Sequence, residues 1–352
     1  MGSASAVHRE NSMRRLSVYF EMLGLLASMA LAPTAQAWGC KGHQTVAFIA
    51  EKHLTPEARQ WVQELLRENP IDSELNRYCG GAIHDAMADA STWADDVRGE
   101  RKNGPWHYID IPRGSRRGPL ERFCGKEGCV TKAISEQLAI LIDKNADGAK
   151  RAEALRYIIH FVGDLHQPLH TITNADEGGN CVPVKYLRRS PHEHNHSYSP
   201  NLHSIWDTAI PERDAEGADA AEYGDTLDEL YAADLASWQK AGIHLDDWVW
   251  EGYDIAENVV YGNLTPKIAI EPNVAVHTCS DDNNIGDRLL HQKIVANETY
   301  QEKAATAAER RIAEGGVRLA MILNEAAKAE QNARQGEAAS KGARNSAVFS
   351  PG

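Results

Sequence analysis

The chain has 352 residues, 42% of them hydrophobic, which is enough to bury a sizeable core and too apolar for a disordered protein. Its formal net charge of −13 argues against a polybasic nucleic-acid binder, because phosphate contacts ordinarily come from Lys and Arg. Any phosphate site must therefore draw its positive charge locally, and bound metal is the obvious source.

The first 37 residues read as a signal peptide. Arg14 and Arg15 precede an apolar run from Leu23 to Leu31, and Ala35-Gln36-Ala37 forms an A-x-A cleavage site. Met13 is an equally good start, since residues 1–12 add nothing the signal needs. The run is too short for an ordinary membrane span, so a secreted or periplasmic protein without a stable membrane anchor is expected, with Trp38 as its first residue. Six cysteines fit export and disulfide bonding. Cys124 and Cys129 bracket Gly-Lys-Glu-Gly, which can close a small loop. Cys40, Cys79, Cys181 and Cys279 allow three connectivities.

From there on the signals are helical. Residues 43–53 and 56–67 form two candidates, the second opened by Thr55 as N-cap with Pro56 in the first turn. Further helices are expected near 82–97, 131–144, 149–167, 226–241, 245–260 and 298–330, with long loops at 99–130 and 171–202. The one strand signal is a weak hairpin arm at Val182–Leu187. The expected fold is all-α, one multi-helix domain over 38–325, followed by a flexible or frayed helical tail at 326–352 rich in Ala, Lys, Gly, Ser and Gln. His192-Glu-His194-Asn-His196 reads as a solvated loop, because alternating histidines in a flexible segment fix no metal geometry.

The chemistry concentrates in Arg156-Tyr-Ile-Ile-His160-Phe-Val-Gly-Asp164-Leu-His-Gln-Pro168-Leu-His170. Leu155, Ile158, Ile159, Val162 and Leu165 make one apolar face. His160 and Asp164, one turn apart, stack on the opposite face, where they can hold a metal together. His166 falls on the apolar side and is assigned to packing or to supporting a ligand. Pro168 should end the helix. His203 and Asp207 repeat the His-x-x-x-Asp spacing in Asn201-Leu-His-Ser-Ile-Trp-Asp207. Trp93-Ala-Asp95-Asp-Val-Arg98, Trp106-His107-Tyr108-Ile-Asp110 and Trp38-Gly-Cys-Lys-Gly-His43 complete the set. Each piece alone is weak, but imidazoles and aspartates recurring in one chain suit zinc.

Taken together, these motifs resemble the zinc-dependent single-strand nucleases of the S1/P1 type, which include mung bean nuclease. The resemblance runs from Trp38 to about residue 325 and includes Gly-Gly-Asn at 178–180. It implies an endonuclease acting on single-stranded DNA and RNA to leave 5′-phosphates, with 3′-nucleotidase activity, three zinc ions and a monomeric state. Trp38, through its free amine and carbonyl, would share one zinc with His43 and Asp164. Asp95, His107, His160 and Asp164 would hold a second, Asp164 bridging the two. His170, His203 and Asp207 would hold the third. Asp95, Arg98 and Asp164 are the implied catalytic residues, Arg98 contacting phosphate. Tyr108 would stack on a base that Asp110 hydrogen-bonds, and Cys124–Cys129 would be a disulfide. Cys40, Cys79 and Cys181 have no obvious counterpart in the fungal members, and the segment 176–201 differs from them. The rival reading is a zinc phospholipase C of the same helical architecture, in which the last ligand is expected to be Glu where this chain has Asp207.

Overall fold

The computed structural model describes residues 38–72, 78–195, 197–271, 279 and 285–348, with side chains described as far as residue 335. The expected signal segment, His196 and residues 349–352 lie outside these.

Five N-terminal helices frame the molecule: α1 Cys40–His53, α2 Pro56–Glu68, α3 Ala86–Arg101, α4 Val130–Ile142 and α5 Gly148–His166. Their starts follow from local chemistry. Thr55 Oγ1 accepts the Ala58 amide with Pro56 in the first turn, Asp85 caps α3 and Asp147 caps α5, each accepting an orphan N–H of the first turn. Pro168 ends α5 after His166, and a 3-10 turn, Pro168–Thr171, carries His170. Every residue of α5 from Ala154 to His166 is buried. The face bearing His160 and Asp164 is thus an interior polar face, enclosed by α1 and α3.

The chain continues through α6 Leu202–Ser204, a π turn Ile205–Ala209, α7 Ile210–Asp214, α8 Ala220–Leu230, α9 Leu235–Ala241 and α10 Leu245–Ile255. It closes with α11 Ile285–Gln292 and α12 Glu298–Val348. The fold is all-α, as expected, but several elements differ from the reading. The helix expected at 226–241 is two helices, because the chain turns at Tyr231–Asp234. The first begins six residues earlier, where Asp219 and Glu222 form a reciprocal capping box. Val182–Leu187 is not a hairpin arm: Lys185–Tyr186 pairs in parallel with Val295–Ala296. The segment expected as a solvated loop is in part a short ribbon: the exposed His192–His194 pairs antiparallel with Ser197–Ser199, whose Tyr198 is buried. Past residue 325, Ala326, Ala327 and Glu330 are still buried on the body, and Arg151 pairs with Glu330 at 2.7 Å.

Behind α5 lies a charged lock. Arg311 of α12, fully buried, donates to Glu251 of α10 at 2.9 Å, to Glu314 at 2.7 Å and to the His166 carbonyl at 3.2 Å. Arg318 donates to Glu251 at 2.6 Å and to His166 Nε2 at 3.0 Å. His166 thus faces away from Asp164 and ties α5 to α12. The disulfides are Cys40–Cys79, Cys124–Cys129 and Cys181–Cys279. No helix among the described residues is long and apolar enough to cross a membrane.

Candidate metal centre

Asp164 sits where three elements meet. Its Oδ1 lies 3.4 Å from His43 Nε2 of α1, and its Oδ2 lies 3.2 Å from His160 Nε2 and 3.0 Å from His107 Nδ1, which follows α3 in a 3-10 turn. Asp95 Oδ1 of α3 is 3.7 Å from His107 and 3.8 Å from His160. The His43 and His160 rings stack at 4.1 Å, which requires Gly163: a Cβ there would come within 2.7 Å of His43 Nδ1. A second group is separate in sequence but adjacent in space. His203 Nε2 is 3.2 Å from His170 Nε2 and 3.3 Å from Asp207 Oδ2, and His170 Nδ1 is 3.9 Å from Asp164.

Three tests of metal fit can be made on these residues. First, separations of 3.0–3.8 Å between donor atoms match the edges, about 3.4 Å, of a tetrahedron with zinc–ligand bonds of about 2.0–2.2 Å. Second, backbone carbonyls fix the tautomers. His160 Nδ1 meets the Ser91 carbonyl at 2.6 Å, His170 Nδ1 that of His107 at 2.7 Å, and His203 Nδ1 that of Gly178 at 2.7 Å. A carbonyl only accepts, so each Nδ1 carries a proton and Nε2 is the nitrogen turned toward a cation. Gly178 reaches His203 with a positive φ, where a Cβ would meet the Leu169 carbonyl at 2.6 Å. Third, both oxygens of Asp95 and Asp164 and both ring nitrogens of His43 are buried without a hydrogen-bond partner. Unsatisfied carboxylates at this depth cost several kcal/mol unless a cation meets them.

The protonation equilibria agree. Burial holds His43 below its ordinary range and brings His107 down to about 4 and His170 to about 3. His160 is the exception: burial lowers it, but Asp164 and Asp95 outweigh that and raise it to about 9. Burial pushes Asp95 up and Asp207 well up. His43, His107 and His170 are thus neutral imidazoles, and the proton on His160 is held by the same buried carboxylates that a divalent ion would neutralise in its place. The grouping Glu177–Cys181–Cys279 is not such a set, since both sulfurs are tied in a disulfide.

Around the ligands, Gln167 was missed by sequence reasoning although it lies inside the His-Gln-Pro-Leu-His run. Its Nε2 donates to Asp207 Oδ1 at 2.6 Å while its Oε1 accepts the Leu169 amide, so it aims Asp207. Trp38 is fully buried, and the next residue, Gly39, donates its amide to the Asp207 carbonyl at 2.6 Å, which puts the start of the expected mature chain at the third ligand group. Arg98, half-buried on α3, is close enough for its charge to act on Asp95, Asp207, His107 and Tyr108. Tyr108 and Asp110 line a cleft of about 570 Å³ next to His107, together with Phe123, Ala175 and Glu177. Burial, then Asp176 and Glu177, raise the Asp110 carboxyl to about 7.

The family model described as S1/P1 nuclease matches residues 38–328. The chain belongs to the S1/P1 nuclease family. Nuclease S1 of Aspergillus oryzae is 30% identical over 308 residues, covering 85% of this chain and 94% of that one. Nuclease P1 of Penicillium citrinum is 31% identical, over 82% and 97% of the two chains. Endonuclease 4 of Arabidopsis thaliana is 28% identical, over 82% and 89%. Membership of this family makes the chain a hydrolase acting on nucleic acid, and its His and Asp clusters are groups that could hold a metal ion.

Proposed function

We propose that this chain is an exported zinc-dependent endonuclease that cleaves single-stranded DNA and RNA to 5′-phosphate products and also removes 3′-phosphates from nucleotides. The reading rests on one juxtaposition. Two buried His/Asp groups meet at Asp164, and the cleft of about 570 Å³ lined by Tyr108 and Asp110 begins one residue after His107. Trp38, His43 and Asp164 are the residues to hold one ion, Asp95, His107, His160 and Asp164 a second, and His170, His203 and Asp207 a third. Zinc bound there supplies positive charge for phosphate oxygens and lowers the pKa of bound water toward neutrality.

The chain's own side chains do the rest. Asp164 is held between three imidazoles. Arg98 meets a non-bridging phosphate oxygen and offsets the charge that develops there. Tyr108 stacks on a nucleobase and Asp110 hydrogen-bonds its edge. A base inside a duplex has both faces occupied, so a stacking platform selects unpaired strands, at about 1–3 kcal/mol per base. Cleavage after Ala37 exports the protein and exposes the Trp38 amine. Zinc-loaded protein assayed on single-stranded DNA, duplex DNA, a 3′-mononucleotide and phosphatidylcholine tests all of this. Turnover of the first and third is expected. Turnover of the lipid alone would replace the reading with a phospholipase.

A further inference from the structure

In a chain of net charge −13, residues 113–126 carry Arg113, Arg116, Arg117, Arg122 and Lys126 against the single acid Glu121. Arg113 and Arg117 are committed to Glu257 and Asp254. Arg122 and Lys126 are exposed, and among the described residues neither is paired with a carboxylate. Both line the cleft that holds Tyr108 and Asp110. The Arg122 guanidinium lies over the Phe123 ring at 4.5 Å and donates to the Arg116 carbonyl at 2.7 Å, so it is held in place. The rim itself is rigid. Cys124–Cys129 closes it, Trp106 donates to the Glu127 carbonyl at 2.9 Å, and Phe123 packs edge-on against Trp250 at 6.3 Å.

Of the cleft's carboxylates, Glu127 lies on this rim beside Lys126, whereas Asp110 and Glu177 act on one another. Asp110 is raised by burial, Asp176 and Glu177 with no cation offsetting them, and Glu127 acts on Tyr108. Asp110 suits the polar edge of a base, and the exposed Arg122 and Lys126 suit an anion. At about 570 Å³ the cleft has room for more than one nucleoside.

We propose that Arg122 and Lys126, with Phe123 positioning Arg122, bind the backbone phosphate of the nucleotide next to the one at the Tyr108–Asp110 end, so that this rim favours polymers over mononucleotides. The proposal rests on the single-strand nuclease reading above. It explains how an acidic protein engages a polyanion away from its metal: two cations on one rim, Arg122 held in place and Lys126 exposed, recover locally the attraction that the net charge denies.

The test uses the zinc-loaded holoenzyme, the double variant Arg122→Gln/Lys126→Gln, and Lys126→Gln alone, the latter at an exposed position where no packing is lost. KM is measured on a 3′-mononucleotide and on a single-stranded DNA decamer between 50 and 200 mM salt. The double variant should raise the decamer KM several-fold more than the mononucleotide KM, and the slope of log KM against log salt should fall by about 0.7 for each phosphate contact removed. Lys126→Gln should show part of both effects. An unchanged decamer KM and salt slope, or equal rises on both substrates, would overturn the rim subsite while leaving the nuclease reading intact. A parent enzyme that turns over neither substrate overturns both.

Discussion

Asp164 is fully buried with both oxygens unpartnered except by imidazoles, so its charge is tolerable only beside cations. Burial alone would raise it, yet His160, His107 and His43 hold its carboxyl well below the usual range. Replacing it with Asn should therefore remove more than one ion. Zinc per chain should fall and activity should drop by more than about 100-fold, the upper end of what losing a mere supporting residue costs. Near-normal turnover with full zinc content would show that Asp164 bridges nothing. Asp110 makes the opposite case. Its carboxyl is raised from 3.8 to about 7, so between about pH 4 and 7 the folded protein holds a proton that the unfolded chain has lost. Stability contributed by that proton is present below about pH 4 and lost as pH rises through 7. Asp110→Asn should thus stabilise by about 1–3 kcal/mol at pH 8 and by little at pH 4.5, a discounted figure because the side chain is partly exposed. Melting curves of variant and parent at both pH values decide it, and an equal difference at the two would remove the shift.

Elements were legible wherever a short-range signal set them. The Thr55-Pro56 start, the Pro168 stop and the His160–Asp164 face of α5 each depend on residues within one turn, and all three stand in the fold. The capping box Asp219–Glu222 is equally local, yet it lies ahead of the helix expected at 226–241. What could not be read was long-range. Lys185–Tyr186 pairs with Val295–Ala296, Cys181 joins Cys279 across 98 residues, and the Ser91 carbonyl that fixes His160 belongs to no motif. The lock behind α5 is of the same kind. Burial pulls the Glu251 carboxyl up, but Arg318 and Arg311 outweigh it and hold it below its usual value. Its contribution is present above about pH 4.5 and lost as pH falls. Glu251→Gln should cost about 1–2 kcal/mol at pH 7, because two buried guanidinium groups keep Glu314 alone, while the exposure of Glu251 limits the figure. The cost should shrink toward pH 3. A variant that melts with the parent at pH 7 would show that Glu314 suffices.

At the scale of the whole molecule, the start of the expected mature chain is built into the candidate metal centre. Trp38 is fully buried, Gly39 is hydrogen-bonded to Asp207, Cys40 is tied to Cys79, and His43 stacks on His160 one turn later. Six residues thus connect the expected cleavage point to two ligand groups. An α-amine can ligate zinc only when it is free and neutral, whereas the same nitrogen in a peptide bond is a very poor ligand. A precursor that keeps residues 1–37 would then lack one donor of the ion proposed to be shared with His43 and Asp164. Removing the signal would complete the enzyme after export. Protein beginning at Trp38 should bind one more zinc per chain than protein carrying Gly-Ser before Trp38. It should also melt higher, since ligation to the folded state alone adds to its stability. The same comparison after chelation should bring the two melting points together. Equal zinc content and equal melting points in the zinc-loaded forms would take Trp38 out of the ligand set and leave His43 and Asp164 to hold that ion with some other donor.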